Sequence, residues 1–299
     1  MSLGYAEKLS WRDDLGGQLG DKELFDTTDD FASKMDSLEG MVREARKVVV
    51  FTGAGISTAC GIPDFRGPKG IWTLQKSGKP LPKLKTSFEH ARPSLTHQAL
   101  LGLVEMGKVH YICSQNVDGL HFRSGIPREK LAELHGNCFS ERCERCGHEY
   151  IRDFEMATVG FKRTGRACVG KGCGGRLRDH ILDWEDALPE DELICAEEHS
   201  STADLSICLG TSLQITPANG IPVRTVKAGG RLVIVNLQKT PKDKHAALLI
   251  RSKVDDVMGE LMRRLGAPIP PYVRVDKVVV KQVDKDAERG AAAGASSGV

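Results

Sequence analysis

Four cysteines carry the plainest chemistry in the sequence. Cys143-x2-Cys146 is followed, after twenty-one intervening residues, by Cys168-x4-Cys173. Two such pairs match the ligand count of a structural zinc site, in which four thiolates close the tetrahedron and leave no open position for catalysis. Losing one ligand is expected to unfold the module, because metal binding and folding share one free energy there. His148 and Cys138 lie nearby and are assigned no role. Nine cysteines is an odd, scattered set, which fits a reduced compartment better than a disulfide framework.

A second group of residues is suited to phosphate. Gly53-Ala54-Gly55 follows the apolar run 48–51 after Thr52 and precedes an expected helix, as in a dinucleotide phosphate turn where glycines let the main chain approach the pyrophosphate. Thr58 stands where the dehydrogenase fingerprint has its third glycine, so taken alone the motif reads equally as a plain turn. Gly210-Thr211-Ser212 and Asn236-Leu237-Gln238 end two further apolar runs. Gly210 and Ser212 offer backbone and hydroxyl donors to phosphate, although a capping hydroxyl is the plainer reading of Ser212 alone. The Asn236 amide can bond ribose hydroxyls, as the acidic residue does in dehydrogenases. Asn116 and Asp118, in Gln115-Asn116-Val117-Asp118, suit a turn regardless of function. A lone histidine such as His135 is more often structural than catalytic.

The elements that must position these residues alternate. Residues 36–47 have helical apolar spacing and 48–51 is a buried strand; 94–106 is a helix with Ser94 as N-cap, and 109–113 a second strand. Strands at 204–209 and 231–235 and a helix at 254–265 follow. The pattern predicts an α/β fold: a Rossmann-like parallel sheet with helices on both faces, ligands at the carboxyl ends of its strands, and a small inserted zinc-binding module. The expected division is an N-terminal extension over 1–35, a catalytic domain over 36–137 and 178–267, the module over 138–177 and a C-terminal extension over 268–299. Within the last, 273–283 alternates like an edge strand, and 291–299, almost wholly Ala, Gly and Ser, reads as disordered.

At 299 residues and a formal charge of +2 the chain is near neutral, so any nucleic-acid contact must rest on a local patch. The loop over 61–92 supplies one: Arg66, Lys69, Lys76, Lys79, Lys83 and Lys85, with no acid between Asp64 and Glu89. Part must meet cofactor phosphates and the rest can reach nucleic acid, though a solvated lysine-rich loop is the bland alternative. Residues 1–29 hold no apolar run of membrane-spanning or signal-peptide length, which predicts an intracellular protein without membrane contact.

Gly61-Ile-Pro-Asp64-Phe65-Arg66-Gly67, Gln115-Asn116-Val117-Asp118, Leu134-His135-Gly136, Gly210-Thr211-Ser212 and Asn236–Gln238 occur in that order, and together they closely resemble the sirtuin family from about Lys34 to Leu265. The resemblance implies an NAD site lined by Gly53, Ala54, Gly55, Thr58, Asp64, Phe65, Arg66, Gln115, Gly210, Thr211, Ser212, Asn236, Gln238 and Val254, with Trp72 as a lid. It implies His135 as general base, suited by a pKa near neutrality, with Asn116 and Asp118 orienting nicotinamide and ribose. The implied reaction has an acyl-lysine oxygen attack the ribose carbon that bears nicotinamide; His135 deprotonates a ribose hydroxyl, which attacks the imidate. Free lysine, nicotinamide and O-acyl-ADP-ribose result.

The opening residues, Gly67-Pro-Lys-Gly-Ile-Trp72 and Leu182-Asp-Trp-Glu-Asp-Ala-Leu-Pro189 are similar to the family's class IV nuclear branch, of sirtuin-six type, in which Trp184 to Asp186 line the acyl-lysine channel. That implies acetylated histone tails as substrates, long-chain acyl removal, a possible chromatin or DNA contact and nuclear residence. Two alternatives remain: mono-ADP-ribosyl transfer, which needs the same site, and a chromatin-binding module with weak turnover, which would not need His135, Asn116, Asp118 and Arg66 together. A hydride-transferring dehydrogenase is disfavoured by the absent third glycine.

Overall fold

A computed structural model describes residues 2–10, 12–82, 86–273 and 281–283. Lys83, Lys85, most of the expected strand at 273–283 and the stretch 291–299 lie outside the described residues.

Helix α1 (Ser2–Lys8) and an irregular segment lead to α2 (Thr28–Glu44). The latter begins eight residues before the expected start, because Thr27 caps it by accepting the Asp30 N–H. Its buried Met35, Leu38 and Val42 form one stripe. Then come β1 (Val48–Thr52), α3 (Ile71–Lys76), α4 (Leu95–Glu105), β2 (Val109–Ser114), α5 (Leu120–Arg123) and β3 (Leu131–Glu133). Ser94 caps α4 in a capping box with His97. A small antiparallel unit follows: β4 (Gly136–Cys143), β5 (Glu149–Ile151), β6 (Arg163–Ala167) and β7 (Arg176–Ile181). The chain then returns through α6 (Glu190–Ser201), β8 (Leu205–Leu209), α7 (Ile221–Lys227), β9 (Arg231–Val235), β10 (Leu248–Ile250) and α8 (Val254–Leu265), and β11 (Lys281–Val283) pairs with β5.

The large sheet runs β3-β2-β1-β8-β9-β10, every neighbouring pair parallel. In chain order this is the doubly wound arrangement, whose direction of winding reverses between β1 and β8. Val48 and Val50 belong to the core formed with α2, α4 and α8, whereas Val49 and Phe51 enter the core formed with α6 and α7. A strand buried on both faces explains the unbroken apolar run.

The small sheet docks on the large one through buried charge. Arg128, just before β3, donates to Glu149 of β5 (2.9 Å) and Glu192 of α6 (2.5 Å), and Glu133 of β3 stands 3.7 Å away. Arg142 of β4 reaches Glu192 (2.7 Å) and Asp191 (2.8 Å). Arg128, Glu133, Glu149 and Glu192 are all at most 3 % exposed, so removing the central cation leaves carboxylates in low dielectric. Arg128→Met is therefore expected to cost about 3–5 kcal/mol in urea unfolding.

Burial also keeps His97 well below its ordinary 6.5 and lowers His121 and His180 to about 3. The unfolded chain takes up these protons near 6.5 and the folded chain does not, so stability present above 6.5 is lost as pH falls. Each histidine contributes about 1.4 kcal/mol per pH unit at full difference. Glu133, raised by burial to about 7, works against them, one group against three, since the folded chain takes up its proton first and gains stability as pH falls. Unfolding free energy should therefore decline between pH 6 and 4, as a series of urea titrations would show.

Candidate active site

The phosphate turn is made of main chain pressed against main chain. After β1, Gly53 is extended and two single 3-10 turns follow, Ala54–Ile56 and Thr58–Cys60, ending at left-handed Gly61; the expected helix does not form. The Gly55 N–H donates to the Gly210 carbonyl at 2.8 Å, while Gly53 N–H bonds Leu209 and Gly210 N–H bonds Val235. A Cβ on Gly53 would stand 2.7 Å from the Thr211 Cβ, and one on Gly55 2.7 Å from the Gly210 Cα. Gln115 donates its amide to the Thr211 hydroxyl at 2.8 Å and ties β2 to β8.

Beside this turn, the Asn116 amide donates to the Gly53 carbonyl (3.1 Å) and lies 3.4 Å from the Ser57 hydroxyl. Ser57 donates to Asp118 at 2.7 Å, and Asp118 also accepts the Leu120 N–H at 2.9 Å. Asp118 is 4 % exposed and Ser57 fully buried, so the carboxylate clamps the turn; burial raises it above the ordinary carboxylate range against these bonds. Asp118 thus acts as a positioning residue. His135 follows β3 and lines the same cleft. Burial lowers it to about 4, the Arg66 charge adds to the effect, and a bond with the Gln115 main chain opposes it. The imidazole is therefore neutral at physiological pH and able to accept a proton.

The cleft, of about 730 Å3, lies at the carboxyl ends of the strands, large enough for a dinucleotide. Asp64, Phe65, Arg66 and Trp72 form one wall; Gly210, Thr211 and Ser212 form another, with Asn236 and Gln238 at its edge. Arg66 is lowered to about 10 by burial, which leaves it cationic at neutral pH. Phe65, Trp72 and Trp184 pack in series as tilted ring pairs, with centroids 4.5 and 4.8 Å apart. Gly53, Ala54, Gly55, Gln115, Asn116, Asp118 and His135 complete the predicted residues that line the cleft. Two others stay off its wall. Thr58 is exposed and donates to the Gly55 carbonyl, and Val254 is buried in the core at the start of α8. Of the loop's described basic residues only Arg66 lines the cleft; Lys69, Lys76 and Lys79 are exposed.

Cys143, Cys146, Cys168 and Cys173 converge, with all four Sγ atoms within 4.8 Å of one another and the pairs Cys143–Cys173 and Cys146–Cys168 at 3.6 Å. Tetrahedral zinc with bonds of about 2.3 Å places sulfurs about 3.8 Å apart, so the cluster fits that ion as a closed structural site. Gly175 is required beside it, since a Cβ there would lie 2.5 Å from the Cys143 Sγ.

Sequence reasoning overlooked several contributors. Ser57 lies between Gly55 and Thr58 in the sequence, and only its burial and its bond to Asp118 show its clamp. Tyr150 places its hydroxyl 2.9 Å from the Cys168 Sγ. Gly16 and Gly17 line the cleft from the N-terminal segment, for which the run Leu15-Gly-Gly-Gln-Leu-Gly20 was an available signal. Chelation at neutral pH, or Cys146→Ser, should unfold the small sheet and lower the melting temperature, with one zinc per chain lost in elemental analysis.

The profile of the Sir2 family matches residues 53–89 and 81–217. The chain is 57 % identical over 276 residues to the NAD-dependent protein deacetylase SRT1 of Arabidopsis thaliana, covering 92 % of this chain and 58 % of that one. It is 46 % identical to the NAD-dependent protein deacetylase Sirt6 of Drosophila melanogaster, covering 91 % and 87 %. The chain thus spans little more than half the length of the plant relative. Among solved structures, Sir2 with a p53 peptide and NAD+ superposes with TM-score 0.59 at 33 % identity, over 78 % of this chain and 98 % of that one. A Sir2Tm structure bound to a propionylated peptide gives 0.59 at 32 %, over 78 % and 99 %. With a matching profile over more than half its length and relatives of this identity, the chain belongs to the Sir2 family.

Proposed function

We propose that the chain is an NAD-dependent protein-lysine deacylase that releases nicotinamide and passes the acyl group to ADP-ribose. The observation that carries this is a neutral His135 in one cleft with Arg66, Asn116 and the Gly53–Gly55–Gly210 turn. The names of the plant and insect relatives and the peptide complexes of the solved neighbours support it.

NAD supplies the ribose carbon that the acyl oxygen attacks, nicotinamide as leaving group and the hydroxyl that captures the acyl carbon. The chain's own residues prepare that exchange. The main-chain turn accepts the pyrophosphate without a side chain intervening, and Arg66 adds positive charge close by. Asn116, fixed on the Gly53 carbonyl, orients the nicotinamide ribose; His135 takes the hydroxyl proton. Phe65, Trp72 and Trp184 give the acyl chain an apolar wall and exclude water.

Acyl-lysine protein is the substrate class, and the finer reading is a histone tail in the nucleus. Exposed Lys69, Lys76 and Lys79 support a phosphate contact with chromatin, which would weaken steeply with salt.

Mass spectrometry of acetyl-lysine and long-chain acyl-lysine histone peptides incubated with NAD is expected to show acyl loss matched by nicotinamide, reduced about 100-fold or more by His135→Ala. Acyl peptides left intact while ADP-ribose accumulates on protein would replace this reading with ADP-ribosyl transfer. Because the free His135 titrates near 4, kcat/KM should hold well below pH 6.5 and fall only as the ring protonates.

A further inference from the structure

The family profile begins at Gly53, yet a segment well before it builds part of the cleft. Residues 15–26 run across the carboxyl edge of the large sheet. The Gln18 N–H donates to the Gln214 side-chain oxygen at 2.5 Å, and the Gln214 amide returns a bond to the Gln18 carbonyl at 3.2 Å. Gly20 N–H bonds the Arg66 carbonyl (2.9 Å), the Gln238 amide bonds the Asp21 carbonyl (2.7 Å), and Leu24 N–H bonds Leu237 (2.8 Å). Asp26 N–H ends the series on the Arg251 carbonyl at 2.8 Å.

The course of this segment depends on glycine. Gly16, Gly17 and Gly20 have φ of 71°, 75° and 75°, and a Cβ on Gly17 would stand 1.8 Å from the Gln214 Oε1. Arg66 meets the segment side-on: its Nε donates to the Gly16 carbonyl (3.1 Å) and Nη2 to the Leu15 carbonyl (3.3 Å). The other face of the guanidinium lies over Trp72, 4.5 Å from the ring centroid. A long cation is thereby held in one place before any ligand arrives. The segment does not fill the cleft, which stays open at about 730 Å3 with Gly16 and Gly17 on its lining.

We propose that residues 15–21 form a fixed strap that aims Arg66 at the dinucleotide and walls its cleft, so that cofactor affinity depends on this N-terminal segment. Gly17 and Gln18 are positioning residues that act through Arg66. The inference rests on the dinucleotide reading above. Preordering removes the entropy that a free arginine would lose on binding, a contribution of about tenfold in affinity.

The test is calorimetric titration of the full chain with ADP-ribose at neutral pH. Gly17→Val should weaken binding about tenfold and raise the KM for NAD, with little change in the KM for the acyl peptide. Gln18→Pro removes the N–H that anchors the strap on Gln214, reaches the same anchor by a different change, and should act likewise. Gly107→Val imposes the same left-handed strain (φ 70°) where a Cβ meets nothing within 4 Å, and should bind as the parent does. On an Arg66→Ala background both strap variants should cost almost nothing further, since the residue they act through is gone. Unchanged or tighter binding in both strap variants overturns the proposal, and so does a loss that simply adds to that of Arg66→Ala. A parent protein that binds no ADP-ribose would instead sink the functional reading itself and this inference with it.

Discussion

A Cβ atom built on Gly210 would lie 2.8 Å from the Gly55 main chain, and one built on Gly55 would strike Gly210 in return. The ends of β1 and β8 therefore meet as bare backbone, at the point where the winding of the sheet reverses. No side chain can be inserted there without parting the two strands. The turn that results presents main-chain groups to whatever enters the cleft, and its neighbours are arranged to keep it in place. Asn116 bonds the Gly53 carbonyl, Asp118 holds Ser57, and Gln115 reaches across to Thr211. Much of the polar apparatus around the cleft is thus committed to backbone geometry, with little left over for direct chemistry. That division explains why a carboxylate as buried as Asp118 is tolerated: its two accepted bonds oppose, in part, the desolvation that raises it.

The same desolvation acts on His135 and Arg66 with different results. Both are lowered, His135 to about 4 and Arg66 to about 10, and neutral pH falls between the two. One environment thereby keeps a proton acceptor empty and a cation charged, side by side. The pair also interacts, since the arginine charge adds to the lowering of the histidine. Any movement of Arg66 would change the readiness of His135 to accept a proton, which gives the strap's hold on the guanidinium a meaning beyond binding alone.

The zinc-fitting module is more than an appendage, because its first strand starts at the residue after His135. Gly136 has φ of 80°, and a Cβ there would lie 1.9 Å from the His180 carbonyl on β7. The Leu182 N–H in turn donates to the His135 carbonyl. The position of His135 is therefore set by β7 as much as by β3. Four thiolates close the Cys143 end of the small sheet, and the Arg128 network, through Glu149 and its neighbour Arg142, holds that same end against β3 and α6. Removing a buried ion partner here costs stability and also loosens the frame on which the histidine is mounted.

How far the sequence reveals all this follows from what each feature depends on. Strands such as 48–52 and 231–235 are legible because a strand buried on both faces must be an unbroken apolar run, and the cysteine spacing is legible because the ligand set is local. The helix expected after Gly55 fails because the chain turns back at Gly61 after two short turns, a tertiary demand that no periodicity encodes. The start of α2 is not legible from apolar spacing because its first turn is polar and only the cap at Thr27 marks it. Thr58 and Val254, carried over from the family, fall off the cleft wall, one exposed and one in the core. The strap is the hardest feature to read: it is polar, aperiodic and distant in sequence from everything it touches, and its bonds to Arg66, Gln214 and Gln238 are mostly made through main chain, which is common to every residue type. What does remain visible there is the spacing of three glycines within five residues, since only a chain that must take positive φ repeatedly keeps so many where a wall is being built.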